Sequence, residues 1–363
     1  MSREKGELQG LWPHEEDVVP LTASTAVAMP AANGERARTG ADGDPLPARR
    51  SRLTAGEFTP ERMIPAPTQA PAEGWRRALY LLSGGVVSIA PSASELRQRE
   101  LVARVKTPIT GCRKVAFISR KGGVGKTTTC LLVGHTFASY RGDRVVALDA
   151  NPDGGSLSHR LRRETTETVA TLLRDRGVIS RYADVRAYTS QASSRLEVIA
   201  GDERSDIAVT LGSADVGQAV GLLERHYNLV CLDTAARVLG SAAQGVLEAS
   251  DQVVIVSAPS LDGARAASST LDWLEEHCRD GLASSAVAVL NGIRAERSGV
   301  DIERIHDHFA SRCSTCVRIP WDPHLETGAE VVIDELHPET RQAYLDLAAA
   351  IAHGFTEPTQ RRS

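Results

Sequence analysis

The chain has 363 residues, 42% hydrophobic and 24% charged, with 42 basic against 46 acidic side chains and a formal charge of −4. This composition can bury a sizeable core, which excludes wholesale disorder, and its near-balanced charge excludes a chain-wide nucleic-acid-binding field, though not a local basic patch. Six scattered cysteines make no disulfide framework, no apolar run reaches the ~18 residues of a membrane helix, and Met1–Glu7 has no secretory apolar stretch; the expectation is a cytoplasmic protein.

Nine of the 17 prolines fall in the first 71 residues, where Trp12 and Phe58 are the only aromatics. With no apolar period, residues 1–73 read as a disordered Pro/Ala-rich arm, either a docking tether or a solvated tail. Residues 74–110 read as a short helical extension: Trp75–Leu82 has amphipathic spacing, and Ser92-Ala-Ser-Glu95 is a helix start leading to about Lys106.

From Lys114 onward, strand and helix alternate. Short apolar, β-branched runs occur at Lys114–Ser119, Arg144–Asp149, Leu196–Ala200, Asn228–Asp233, Gln252–Ser257, Ser285–Asn291 and Cys316–Ile319. Helical spacing separates most of them, as at Asp262–His277 and Asp301–Arg312, and a last helix runs from about Pro338 to His353. Several runs are nearly all apolar, which predicts strands covered on both faces. The fold class expected for residues 111–355 is therefore α/β: a doubly wound, mostly parallel sheet of about seven strands, followed by a flexible tail at 356–363.

Directly after the first strand comes Ser119-Arg-Lys121-Gly122-Gly123-Val124-Gly125-Lys126-Thr127-Thr128. It fits G-x-x-x-x-G-K-[ST] in modified form, with Arg120 in place of the first glycine. Glycines let backbone amides curl around phosphate oxygens, and the helix that follows adds its positive dipole end. Lys126 has the reach for β/γ-phosphates, and the Thr127 hydroxyl suits Mg²⁺.

This loop resembles the deviant Walker A motif of the MinD/ParA ATPases, a similarity that extends from about Val115 to Ile351. The resemblance implies ATP and Mg²⁺ as cofactors, with Gly122–Thr128 on the phosphates. It also implies an ATP-bound homodimer in which Lys121 crosses to the partner's nucleotide. Val145-Val-Ala-Leu-Asp149-Ala-Asn151-Pro-Asp153 resembles the family's switch I strand. Asp149 then belongs near the metal, whereas Asn151 replaces the usual water-orienting aspartate. An amide accepts a hydrogen bond but is no base, so catalysis by Lys121, Lys126, Asp149 and Asn151 is expected to be slow unless Asp153 compensates. Tyr227-Asn-Leu-Val-Cys-Leu-Asp233-Thr-Ala resembles Walker B, with Asp233 directed to Mg²⁺. Asn291, at the end of its strand, resembles the adenine reader, and Pro320 and Asp322 the loop over the base.

Gly74-Trp-Arg-Arg, Tyr140-Arg-Gly-Asp-Arg144, Ser260-Leu-Asp-Gly-Ala-Arg265 and Leu271-Asp-Trp-Leu resemble a narrower branch, the MinD-like ATPases encoded with actinobacterial ESX, or type VII, secretion systems. That branch implies a protein partner in a secretion or positioning machine, and recruitment to the inner membrane face through that partner. Three alternatives stay open: a non-hydrolysing ATP-bound scaffold, a ParA-like ATPase partitioning DNA through Arg160, Arg162, Arg163, Arg174 and Arg176, and an iron–sulfur carrier using Cys313-Ser-Thr-Cys316. The last helix has a narrow apolar face and no lysine, unlike a membrane-surface helix, so no direct membrane insertion is expected.

Overall fold

The computed structural model describes residues 92–151, 155–202, 211–235, 241–278, 281–294 and 299–356. The Pro/Ala-rich arm, the Trp75–Leu82 stretch, Asp153 and the tail from 357 lie outside the described residues.

The first strand shows how the sequence makes a two-sided sheet. In β1 (Arg113–Ile118), Val115 and Phe117 join one apolar cluster while Ala116 and Ile118 join the other. Side chains alternate across a strand, so a run with no polar interruption must be covered twice. The same division recurs in β2 (Val145–Asp149), where Val146 and Leu148 face one layer and Val145 and Ala147 the other. The remaining strands are β3 (Ser190–Gln191), β4 (Glu197–Ile199), β5 (Leu229–Asp233), β6 (Gln252–Ser257), β7 (Val287–Ile293) and β8 (Thr315–Pro320). They form an eight-stranded sheet in the order β3-β4-β2-β5-β1-β6-β7-β8, parallel throughout except for β3 against β4. The eighth strand is β3, whose two residues carry no periodic signal.

The described helices are α1 (Ala93–Val105), α2 (Lys126–Tyr140), α3 (Val169–Arg174), α4 (Tyr182–Arg186), α5 (Ser213–Leu223), α6 (Ser241–Ala249), α7 (Leu261–His277), α8 (Ile302–Ala310), α9 (Pro323–Glu326) and α10 (Pro338–His353). One face of the sheet is covered by α1, α2 and α10, the other by α3 to α8. Helix α2 is buried nearly all round, and the Phe137 ring packs tilted against Phe355 at a centroid distance of 5.6 Å. Helix α1 starts as its S-x-x-E signature predicts, with Ser92 Oγ accepting from the Glu95 amide at 3.2 Å. It packs on α10 through Leu101 and Val105. The buried Arg141, at the end of α2, donates through Nη1 to the carbonyls of Val105 (2.7 Å) and Thr107 (2.6 Å).

Strands β1, β2, β5 and β7 all deliver their C-terminal ends to one edge of the sheet, and β1 lies where the chain switches from building one side to building the other. In doubly wound folds such crevices hold ligands.

Candidate functional site

Strand β1 ends in the buried Ser119, whose Oγ accepts from the Lys121 amide at 3.3 Å and starts the loop turning. Gly123 (φ +74°) and Gly125 (φ +86°) take left-handed conformations that other L-residues adopt only with strain. Gly125 caps α2 with no side-chain hydrogen bond to the first turn, so the helix presents unpaired amide donors and its dipole to the cleft. Gly125 is also needed for space, because a Cβ there would lie 2.1 Å from Asn291 Nδ2.

The cleft above this loop has a volume of about 220 Å³. Residues 121–128 form one wall; Asn151, Ser156, Arg160 and Thr234 complete the lining. Lys121 and Asn151 are both partly exposed there.

Asp233 is buried, and both its oxygens are engaged. Oδ1 accepts from Lys126 Nζ at 2.6 Å and Oδ2 from Thr127 Oγ1 at 2.6 Å; Lys126 also donates to the Thr234 carbonyl. The parallel pairing of β2 with β5 sets Asp149 directly across from Asp233. Asp149 is fully buried and does not line the cleft. Its oxygens accept from the amides of Asn151 and Leu157, each at 3.1 Å, and the Gly155 backbone closes over it. Burial, and then the nearby Asp233 charge, hold its carboxyl well above the usual carboxylate range.

Thr127, Asp149 and Asp233 thus offer only hard oxygen donors, as Mg²⁺ prefers. Among the described residues no group of three or more His, Cys, Asp or Glu side chains gathers to hold a metal. The donor set therefore fits an ion that takes one or two carboxylates and completes its shell from phosphate and water.

The outer candidates are placed differently. Asn291 donates its amide to the Val124 carbonyl at 2.8 Å, bracing the phosphate loop. Asp322 is buried and caps α9: Oδ1 accepts from the His324 amide (3.0 Å) and Oδ2 from that of His337 (2.9 Å). Its carboxylate is spent on backbone, and the Asp-Pro pair that opens α9 is the signal of a cap. Pro320 ends β8 and is partly exposed, followed by Trp321 with the Arg294 guanidinium 4.4 Å from its ring centre.

The arginines grouped above as a DNA patch have separate surroundings, and Arg162 is exposed. Arg174 pairs with Asp175 at 2.8 Å, Arg163 and Arg176 donate to nearby carbonyls, and Arg160 turns into the cleft. Cys313 and Cys316 are both buried, and burial pushes their thiols up to about 11 and about 12. Sequence reasoning missed Ser156 and Arg160 as cleft residues, since they lie in an irregular segment with no motif.

Residues 112–283 match the family described as an AAA domain. Over 290 residues the sequence is 35% identical to the ESX-1 secretion-associated protein EspI of Mycobacterium tuberculosis, a match covering 79% of this chain and 43% of EspI. The fold matches a ParA family ATPase from Chlorobium tepidum, with a TM-score of 0.57 and 21% identity over 66% of this chain and 98% of that one. The fold is that of the MinD/ParA-like P-loop NTPases. MinD of Pyrococcus horikoshii, solved in complex with Mg-ADP, has the same fold with a TM-score of 0.50 and 18% identity, over 65% of this chain and 94% of that one. The chain spans less than half the length of the EspI relatives it matches. Among the described residues no helix is long and apolar enough to cross a membrane.

Proposed function

We propose that this protein binds Mg-ATP in the cleft over residues 121–128, hydrolyses it slowly, and uses the bound nucleotide to control dimerisation. The observation that carries this reading is the uncapped start of α2 facing the cleft beside Lys126, with Lys126 and Thr127 held by Asp233. Lys126 and the loop amides bind the phosphates, and Thr127 and Asp233, with Asp149 behind them, hold Mg²⁺. The ion, when bound, neutralises phosphate charge. Because Lys126 and Thr127 share one carboxylate, ligand entry exchanges these contacts for contacts to phosphate and metal. Lys121, partly exposed on the cleft wall, serves the nucleotide of a second copy across a dimer face. Asn291 supports the base side of the loop.

A non-hydrolysing scaffold is the second reading, favoured by Asn151 in the cleft lining where a carboxylate would orient water. The likeness to EspI supports a role beside a type VII secretion machine, with a protein partner that reads the dimer.

Calorimetry tests the nucleotide site. Wild type should bind Mg-ATP, and Lys126→Ala should lose binding because the β/γ charge is left uncompensated. Unchanged affinity in Lys126→Ala would sink the assignment.

A further inference from the structure

Arg160 is a cleft cation with no carboxylate paired to it among the described residues. It ends a single 3-10 turn, Ser158–Arg160, and its carbonyl accepts from the Val331 amide at 2.9 Å, which fixes the backbone. Nη2 lies 3.8 Å from where a Cβ on Gly328 would stand. Nη1 is buried and has no hydrogen-bond partner among the described residues. Burial lowers the pKa of the guanidinium, with the Asp233 charge opposing that shift. Yet arginine does not deprotonate in proteins, so the group stays a cation needing an anion. Lys126 already holds Asp233 at 2.6 Å, and no carboxylate lines the cleft among the described residues. The guanidinium is partly buried, and its buried Nη1 donor stays unpaired at a cost unless a ligand completes it.

The geometry of the two walls says which part of the ligand that is. Loop amides and the α2 N-terminus take the inner phosphates. Asn151, Ser156, Arg160 and Thr234 form the remainder of the lining, and of these only Arg160 carries a positive charge for a phosphate that the loop leaves unmet. Resting on the nucleotide reading above, we propose that Arg160 binds the terminal phosphate from within the same subunit and so distinguishes a nucleoside triphosphate from a diphosphate. A planar fork of donors suits a phosphate's oxygens better than an ammonium does. It also supplies positive charge beside Asn151, from the subunit's own chain.

The test compares the full chain with Arg160→Met and Arg160→Lys, titrating Mg²⁺ with ADP and with the β,γ-imido analogue of ATP. In Arg160→Met the triphosphate analogue should lose about 10- to 100-fold in affinity, the range for hydrogen bonds to charged groups, while ADP changes by less than about threefold. Arg160→Lys should fall between, with the same selectivity. Without nucleotide, Arg160→Met should melt no lower than wild type, because it removes a buried donor that has no partner among the described residues. Equal losses for both nucleotides, or no loss for either, would overturn the proposal while leaving the nucleotide site intact. Should Arg160→Met fail to fold, the analogue-to-ADP selectivity of Arg160→Lys decides by the same criteria. Wild type that binds neither nucleotide would refute the nucleotide reading, and this inference with it.

Discussion

Replacing Gly125 by alanine perturbs two separable things at the hinge between phosphate loop and helix. The first is backbone conformation: φ is +86°, and the left-handed region costs a non-glycine residue about 1–2 kcal/mol. The second is contact: the new Cβ would lie 2.1 Å from Asn291 Nδ2, so the Asn291 amide must leave the Val124 carbonyl it meets at 2.8 Å. Losing that hydrogen bond costs about 0.5–1.5 kcal/mol. Alanine stiffens the unfolded chain and returns about 0.4–1 kcal/mol, so the net destabilisation should be about 2 kcal/mol. In a domain of this size that lowers Tm by about 4–8 °C. Urea and thermal unfolding of Gly125→Ala, with and without Asn291→Ala, separate the two contributions. With the amide removed, only the conformational cost should remain, giving a coupling energy of about 0.5–1.5 kcal/mol. Gly122→Ala is the control: its Cβ would meet nothing within 4 Å and its φ is not left-handed, so stability should change by less than about 0.5 kcal/mol. An equal penalty in both backgrounds, or none in either, would refute the claim that Asn291 and Gly125 share one space.

Lys121→Ala should retain most of its ATP affinity yet lose ATP-dependent dimerisation in light scattering; a dimer of unchanged strength would remove Lys121 from the interface. Asn151→Asp should raise single-turnover hydrolysis by up to about tenfold, below the 10²–10⁴ typical of general-base effects because its neighbours are arranged around an amide. If Asp153→Asn slows the reaction instead and Asn151→Asp changes nothing, the water is held from residue 153. Burial raises the Asp149 carboxyl from 3.8 to about 7, with the Asp233 charge adding to it. The folded state therefore keeps a proton that the unfolded chain has released. This contribution to stability is fully present below pH 3.8 and lost as pH rises through about 7. Asp149→Asn should flatten that part of the nucleotide-free stability profile; an unaltered profile would show that Asp149 is not its source.

Much of the fold was legible because a buried parallel sheet announces itself. Val146, Leu148, Val230 and Leu232 face one helical layer, while Val145, Ala147, Leu229 and Cys231 face the other, so apolar runs ending in Asp149 and Asp233 could scarcely be anything else. The phosphate loop was legible because its glycines leave few alternatives. What stayed hidden depended on tertiary approach. No periodicity places Arg160 against the loop of residues 121–128, because a single turn held by one amide from Val331 positions it. The partner of Asn291 is a main-chain carbonyl, which no side-chain pattern encodes. For Asp322 the capping role was legible, since aspartate before proline marks a helix start.

The contact between Arg141 and the end of α1 bears on how fragments of this protein behave. A chain trimmed to begin at residue 111 keeps the whole phosphate loop, yet removes the Val105 and Thr107 carbonyls that receive the buried guanidinium. It also strips Leu101 and Val105 from the apolar layer they share with α10. The damage falls at the far end of α2, the helix whose first turn lines the cleft. A shortened protein that binds no nucleotide would be reporting a loosened α2, and its failure would leave the roles of Lys126 and Asp233 untouched.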